Sequence, residues 1–233
     1  MATKVALLCP VAESVNPQVF KHALAMVSYA SAHGYEVSQV GVTERTLIHS
    51  ARNQLALGFK ATDCEWAFWM DADMIFPPST IVHLIEKAKE LNTKFITGVY
   101  YQRLGQHLPV LWRKNPVLLD GTIAPLLTDK KDKNEAYLHH FIVPPEKTPV
   151  KADVAGFGCI AMHREMLEKI EFPYFKTISD DCSEDFYFCI KAKEAGYQLW
   201  ADPSLELGHM SNPKFITRKD MVLDEKNKIE VKI

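Results

Sequence analysis

Short apolar runs alternate with longer stretches whose apolar residues recur at helical spacing. Val5-Ala6-Leu7-Leu8-Cys9 reads as a buried parallel strand stopped by Pro10. Phe20, Ala23, Leu24, Val27 and Ala30 then predict a helix with those side chains inward, closed by Gly34. Tyr35 to Val42 predicts a second strand, and Ile48, Ala51, Leu55 and Phe59 a second helix. Trp66 to Met70 is a third strand. Pro77-Pro78-Ser79-Thr80 opens a helix with Ile81, Leu84, Ile85, Ala88 and Leu91 on one face. Phe95 to Tyr101 is a fourth strand. Strands alternating with helices imply right-handed βαβ units. The expected fold is α/β, with a mixed, mainly parallel central sheet flanked by helices.

The pattern changes after Arg103. Residues 104–150 carry prolines, short apolar stretches at Val110–Trp112 and Phe141–Val143, and the charge run Asp129-Lys130-Lys131-Asp132-Lys133. Hairpins and irregular structure are expected there, with the charge run a solvated loop. Regular signals return at Val154. Gly156-Phe157-Gly158-Cys159 is expected between a short strand and a helix. A helix begins near Ser183-Glu184-Asp185 and ends at Gly196, followed by strands Tyr197–Ala201 and Leu205–His209. This divides one domain, residues 1–212, into three parts, 1–103, 104–150 and 151–212. A charge-rich tail, 213–233, comes after it.

Composition adds exclusions. The chain has 233 residues, 47% of them hydrophobic, enough for a sizeable core. Its formal net charge of −2 argues against a broad electrostatic footprint for nucleic acid. Five cysteines without a CxxC pair, Cys9, Cys64, Cys159, Cys182 and Cys189, read as reduced thiols packed as small hydrophobes, which points to a cytoplasmic protein. The apolar run ending at Pro10 is too short for a signal peptide or a membrane span.

The candidate chemistry begins where the third strand ends. Asp71-Ala72-Asp73 puts two carboxylates one residue apart at the carboxyl end of a strand, the edge at which open α/β sheets bind ligands. Carboxylate oxygens suit Mg²⁺ or Mn²⁺. An Asx turn is the plain structural alternative. His209, at the end of an apolar strand, is a candidate third ligand, or simply a surface histidine. Glu184 and Asp185 open a helix, where acids complement the dipole and cap N–H groups. Asp181 and Glu184 have capping-box spacing, yet one of these carboxylates could serve as a general base. Gly156 and Gly158 allow a tight turn or a close backbone approach, but match neither a Walker A loop nor G-x-G-x-x-G. Arg52 is either a solvated helix residue or one that reaches a phosphate or base edge.

In order and spacing, these segments resemble the GT-A class of nucleotide-sugar glycosyltransferases. They are Ala51-Arg52-Asn53-Gln54-Leu55, Phe68 through Pro77, Gly98-Val99-Tyr100-Tyr101, Ala155 through Cys159, Glu184-Asp185-Phe186 with Lys193 through Tyr197, and Leu207-Gly208-His209. The match is to small single-domain members of bacteria, phages and large viruses, which implies host cytoplasm if the chain is viral. The resemblance makes 1–103 a nucleotide-binding half, 104–150 a variable acceptor-side insertion and 151–212 an acceptor and metal half. The resemblance implies that Asp71, Ala72 and Asp73 bridge ribose, metal and diphosphate, and that His209 completes the metal shell. It implies Asp185 as the base of an inverting transfer, with Glu184 as neighbour or substitute. Pro10, Glu44 and Arg52 would hold base and ribose, while Asp153, Gly156, Phe157 and Gly158 would face the acceptor. The implied cofactor is Mn²⁺ or Mg²⁺. The implied donor is a nucleoside-diphosphate sugar, expected to be UDP-linked, and the acceptor a glycan, glycoprotein or other hydroxyl.

Two other functions compete. A sugar-phosphate nucleotidyltransferase shares the sheet and the metal carboxylates, but needs a Gly-rich basic loop after the first strand. Pro10-Val11-Ala12-Glu13-Ser14 has neither Gly nor Lys. A non-catalytic sugar-binding module on the same fold is the other alternative. It gives no reason for Asp71, Asp73, Asp185 and His209 to occur together.

Overall fold

The computed structural model describes residues 2–43, 46–113, 137–140, 147–178, 183–211, 214–217, 220 and 230–232. The first half keeps to the alternation of the sequence. β1 (Thr3–Pro10), α1 (Pro17–Ala32), β2 (Tyr35–Thr43), α2 (Ile48–Lys60), β3 (Trp66–Met70), the short β4 (Met74–Ile75), α3 (Thr80–Glu90) and β5 (Phe95–Gly98) succeed one another. α1 starts cleanly because Pro17 needs no N–H partner and the Asn16 side chain accepts from the Gln18 N–H.

The second half is more broken. β6 (Leu111–Arg113), β7 (Tyr137–His140), β8 (Val150–Ala152), β9 (Val154–Ala155) and β10 (Cys159–His163) precede the single-turn α4 (Glu165–Lys169). α5 (Glu184–Glu194) leads to β11 (Leu199–Asp202), β12 (Gly208–Ser211), β13 (Lys214–Ile216) and β14 (Glu230–Lys232).

Seven strands form the central sheet in the order β2-β1-β3-β10-β5-β11-β8. β1 pairs in parallel with β2 and β3, and β5 with β11, so these five run one way. β10 runs against both its neighbours, and β8 runs against β11. The sheet is therefore mixed and mainly parallel. Its central strands β1 and β3 are buried on both faces, so alternate side chains feed two cores, whereas the edge strand β2 is largely exposed. Val5, Leu7, Cys9, Trp66, Phe68 and Met70 join the α1 and α3 side with Met26, Ile81, Leu84 and Ile85. Ala6, Leu8, Ala67 and Trp69 join the α2 and α5 side with Leu55, Phe59, Phe157 and Phe188.

Several expectations need correction. α1 is rotated from its expected face: Val19, Met26 and Ala30 are buried, while Phe20 and Leu24 are more than half exposed. Packing against the sheet selects the small and flexible residues of that helix over the two bulky ones. The Phe95 strand ends at Gly98, and Tyr101 forms only an isolated bridge to Pro109. The strand expected at Leu205–His209 is Gly208–Ser211, which places His209 inside it. Gly156-Phe157-Gly158 connects two strands, β9 and β10, not a strand and a helix. Within the 104–150 segment, β6 joins β9, β7 and β14 in a four-stranded sheet. Asp129–Lys133 and Phe141–Val143 lie outside the described residues. Lys214–Ile216 pairs with β12, and Ile216 is buried in the core.

Candidate functional site

The carboxyl end of β3 is the organising point. Pairing in antiparallel sense, β10 sets Cys159 opposite Met70. The glycine turn before β10 therefore arrives beside Asp71. A Cβ on Gly158 would stand 3.2 Å from Asp71 Oδ2 and 2.8 Å from Tyr100 Cζ, so only glycine fits without displacement. A Cβ on Gly156 would meet the Tyr100 hydroxyl at 2.2 Å and Val110 at 2.7 Å. Tyr100, just past β5, accepts a hydrogen bond from the Gly158 N–H at 3.1 Å. Burial, reinforced by the negative charge of Asp71, raises the Tyr100 phenol well above its ordinary range, so its O–H stays protonated.

Arg52 gathers carboxylates from distant parts of the chain. It lies on the buried face of α2 and is only 3% exposed. Its Nη2 donates to Asp71 Oδ1 at 3.0 Å. Its Nη1 pairs with Asp185 Oδ1 and lies 3.5 Å from Glu184 Oε1. The guanidinium also stacks near the Phe157 ring, 5.3 Å from its centroid. The sequence pattern alone admits a solvated Arg52 or a phosphate-reaching one. Here it is a buried counter-ion for the aspartate triplet and for the start of α5. Asp185 Oδ2 also faces the Phe157 N–H at 3.4 Å. Ser183 is the N-cap of α5 without a side-chain cap bond, and Asp181 lies outside the described residues.

Asp73 has a different set of neighbours. Arg103 Nη1 donates to its Oδ2 at 2.8 Å, and His209 Nε2 stands 3.5 Å from the same oxygen. Burial pushes the Asp73 carboxyl up, but the nearby His209 ring and the Arg103 charge outweigh it, holding Asp73 below the usual carboxylate range. His209 is aimed by its other nitrogen, Nδ1, which is 2.8 Å from the Tyr101 carbonyl. The register of β12 against β4 sets His209 opposite Met74, and the Met210 N–H donates to the Asp73 carbonyl at 2.8 Å. Below both aspartates, burial and their negative charges push the Cys9 thiol up to about 12. Pro10, the last residue of β1, is on the same sheet edge, and Glu44 lies outside the described residues.

Asp71, Ala72, Asp73, Arg52, Glu184, Asp185, Gly156, Phe157, Gly158 and His209 thus converge. Asp153 does not. It pairs with Lys193, about 12 Å along α5 from Asp185 at 1.5 Å per residue. Two contributors were missed in the sequence, Tyr100 and Arg103. Both come after β5 at the same edge, and that position was the available signal. Asn53 has a supporting part. Its Oδ1 accepts from the Tyr174 and Phe175 N–H groups, and its Nδ2 donates to the Phe175 carbonyl, so α2 is clipped to the 173–175 segment.

The donor set suits a divalent ion. Asp73 Oδ1 is buried and has no hydrogen-bond partner among the described residues, a costly state for a carboxylate oxygen unless something else satisfies it. Among the described residues no three His, Cys, Asp or Glu side chains already form a closed cluster. Asp71 turns to Arg52 and Asp73 to Arg103, so the two carboxylates are now held by protein cations.

A mixed, mainly parallel seven-stranded sheet flanked by helices is the GT-A fold. The solved structures agree. A197 from STIV superposes with a TM-score of 0.60 at 18% identity, over 96% of this chain and 98% of that one. GalNAc-T7, solved with UDP, GalNAc and Mn²⁺, gives 0.55 at 13% identity, over 89% of this chain and 44% of its own. The sequence pattern of glycosyl transferase family 2 matches residues 42–170, more than half of the chain, and the chain belongs to that family. The matched region holds Arg52, Asp71, Asp73 and the glycine turn, and stops before α5 and His209.

Proposed function

We propose that this protein is an inverting, metal-assisted glycosyltransferase that moves a sugar from a nucleoside-diphosphate donor, UDP-linked in the first instance, to an acceptor hydroxyl. The observation that carries this reading is the single Arg52 guanidinium shared by Asp71 and Asp185. It fixes a donor-side carboxylate and a candidate base in one rigid unit. Family membership supports glycosyl transfer, and the GalNAc-T7 complex with UDP and Mn²⁺ supports the choice of nucleotide and metal to test.

Asp71, Asp73 and His209 would hold the ion. When bound, it would neutralise charge developing on the diphosphate. Pro10, Glu44 and the β1 and β2 ends would receive the nucleoside. Asp185 is the base. Its side chain is 17% exposed against 7% for Glu184, so it is the better placed of the two to meet a hydroxyl. The acceptor oxygen forms a bond to the anomeric carbon as the bond to the diphosphate breaks. The electron pair leaves with the diphosphate, and the hydroxyl proton passes to Asp185. Residues 104–150 form the acceptor-side insertion, where specificity is expected to lie on loops.

The test is incubation of the full chain with Mn²⁺ and a panel of nucleotide sugars. Slow release of nucleoside diphosphate is expected, and Asp73→Asn should remove most of it. Pyrophosphate chemistry would indicate a nucleotidyltransferase, and no turnover with any donor a non-catalytic module.

A further inference from the structure

Resting on that reading, we propose that Arg103 is the diphosphate-binding residue of the site, held in reserve on Asp73 until a divalent ion replaces it. Two cationic guanidinium groups reach the aspartate triplet among the described residues. Arg52 is buried and engaged by three carboxylates, so it cannot turn to a ligand without leaving buried charge unpaired. Arg103 is 55% exposed and, among the described residues, its one ion pair is with Asp73. It can exchange that partner at little cost, because exposed ion pairs are weak.

Its backbone is fixed while its side chain is not. The loop is closed by the Gln102 N–H donating to the Leu108 carbonyl at 2.9 Å and the Val110 N–H donating to the Tyr100 carbonyl at 2.8 Å. His107 Nδ1 meets the Gln102 carbonyl at 2.9 Å, and the Ser211 hydroxyl donates to the Arg103 carbonyl at 3.2 Å. The guanidinium therefore swings from a rigid base. It borders a cleft of about 470 Å³ lined by Tyr100, Gln102, Leu104, Gly105, Val110 and His209. An ion held by Asp73 would displace the Arg103 fork toward that cleft. There a planar guanidinium matches phosphate oxygens in pairs.

This exchange predicts effects of opposite sign from one substitution. In Arg103→Ala, Mn²⁺ without nucleotide, followed by electron paramagnetic resonance, should bind about two- to fivefold tighter, because Asp73 has lost a competing cation. UDP and GDP, titrated calorimetrically at saturating Mn²⁺, should bind about ten- to a hundredfold weaker for whichever the wild type accepts, the loss of a charge-assisted pair. Arg103→Lys should recover part of the nucleotide affinity but not all, lacking the fork. Unchanged or tighter nucleotide binding in Arg103→Ala overturns the proposal, as does unchanged or weaker Mn²⁺ binding. A wild-type chain that takes up neither nucleotide nor Mn²⁺ removes the proposed function itself and this inference with it. A melting curve for each variant confirms that the folded chain is being titrated.

Discussion

At the residue scale, Asp185 can be a base, a dipole partner for α5, or both, and one pair of variants separates these roles. Asp185→Asn keeps the size of the side chain and leaves Arg52 paired with Asp71 and Glu184. If Asp185 takes the acceptor proton, transfer should fall about a hundred- to ten-thousandfold while nucleotide binding persists. If it only complements the first turn of α5, the folded protein should keep its turnover and lose roughly 0.3–2 kcal/mol of stability. Glu184→Gln serves as the comparison. Glu184 is more deeply buried, so it should cost more in melting temperature and less in rate. Equal rate losses in the two variants would remove the distinction between them. Asp71, Asp73 and His209 stood out in the sequence as polar residues ending apolar runs, and Glu184 and Asp185 as acids opening a helix. The partners did not. Arg52 read either as a solvated helix residue or as one reaching a phosphate or base edge, and nothing local showed that one guanidinium would meet side chains from the end of β3 and from α5.

At the scale of elements, legibility tracked burial. β1 and β3 are apolar on both faces, and their bounds came out within two residues because a central strand has no freedom in pattern. α1 kept its limits but not its face, since an amphipathic helix with Phe20 and Leu24 beside Val19 and Met26 has two plausible stripes. The β9–β10 turn was misplaced because glycines announce tight backbone without specifying whether a helix or a strand comes next. Its two glycines have a testable opposite in α2. Gly156→Ala drives a methyl into the Tyr100 hydroxyl and Val110. It should cost about 1–3 kcal/mol, the usual penalty of overpacking. Gly58 sits in the last turn of α2 with open space where a Cβ would go. Gly58→Ala should add about 0.4–1 kcal/mol by reducing the freedom of the unfolded chain. Thermal melts of the two variants should move in opposite directions. A Gly156→Ala protein as stable as the wild type would show that the turn has slack and that Tyr100 is not held by it.

At the scale of the whole molecule, the site is assembled from segments that the chain visits far apart. α2 supplies Arg52, β3 leads to the aspartates, the turn before β10 supplies the Gly158 N–H, α5 brings Asp185, and β12 carries His209. Five of the seven central strands run toward the same edge, and the antiparallel β10 returns its leading turn to that edge. The sheet thus converts sequence distance into proximity. A ligand spanning the edge therefore touches elements from both halves of the fold and stabilises them together. Anything that binds only the folded state raises stability by mass action, about 2.7 kcal/mol at a hundred times its dissociation constant. For a chain of this size that corresponds to roughly 5–10 °C in melting temperature. Mn²⁺ with UDP should shift the unfolding transition by this order as one cooperative step, and excess chelator should reverse the metal-dependent part. Asp73→Asn should abolish the metal-dependent shift and keep the nucleotide's own. A shift confined to one of two separate transitions would mean that the halves unfold independently, and the site would then be an interface between two units instead of the edge of one sheet.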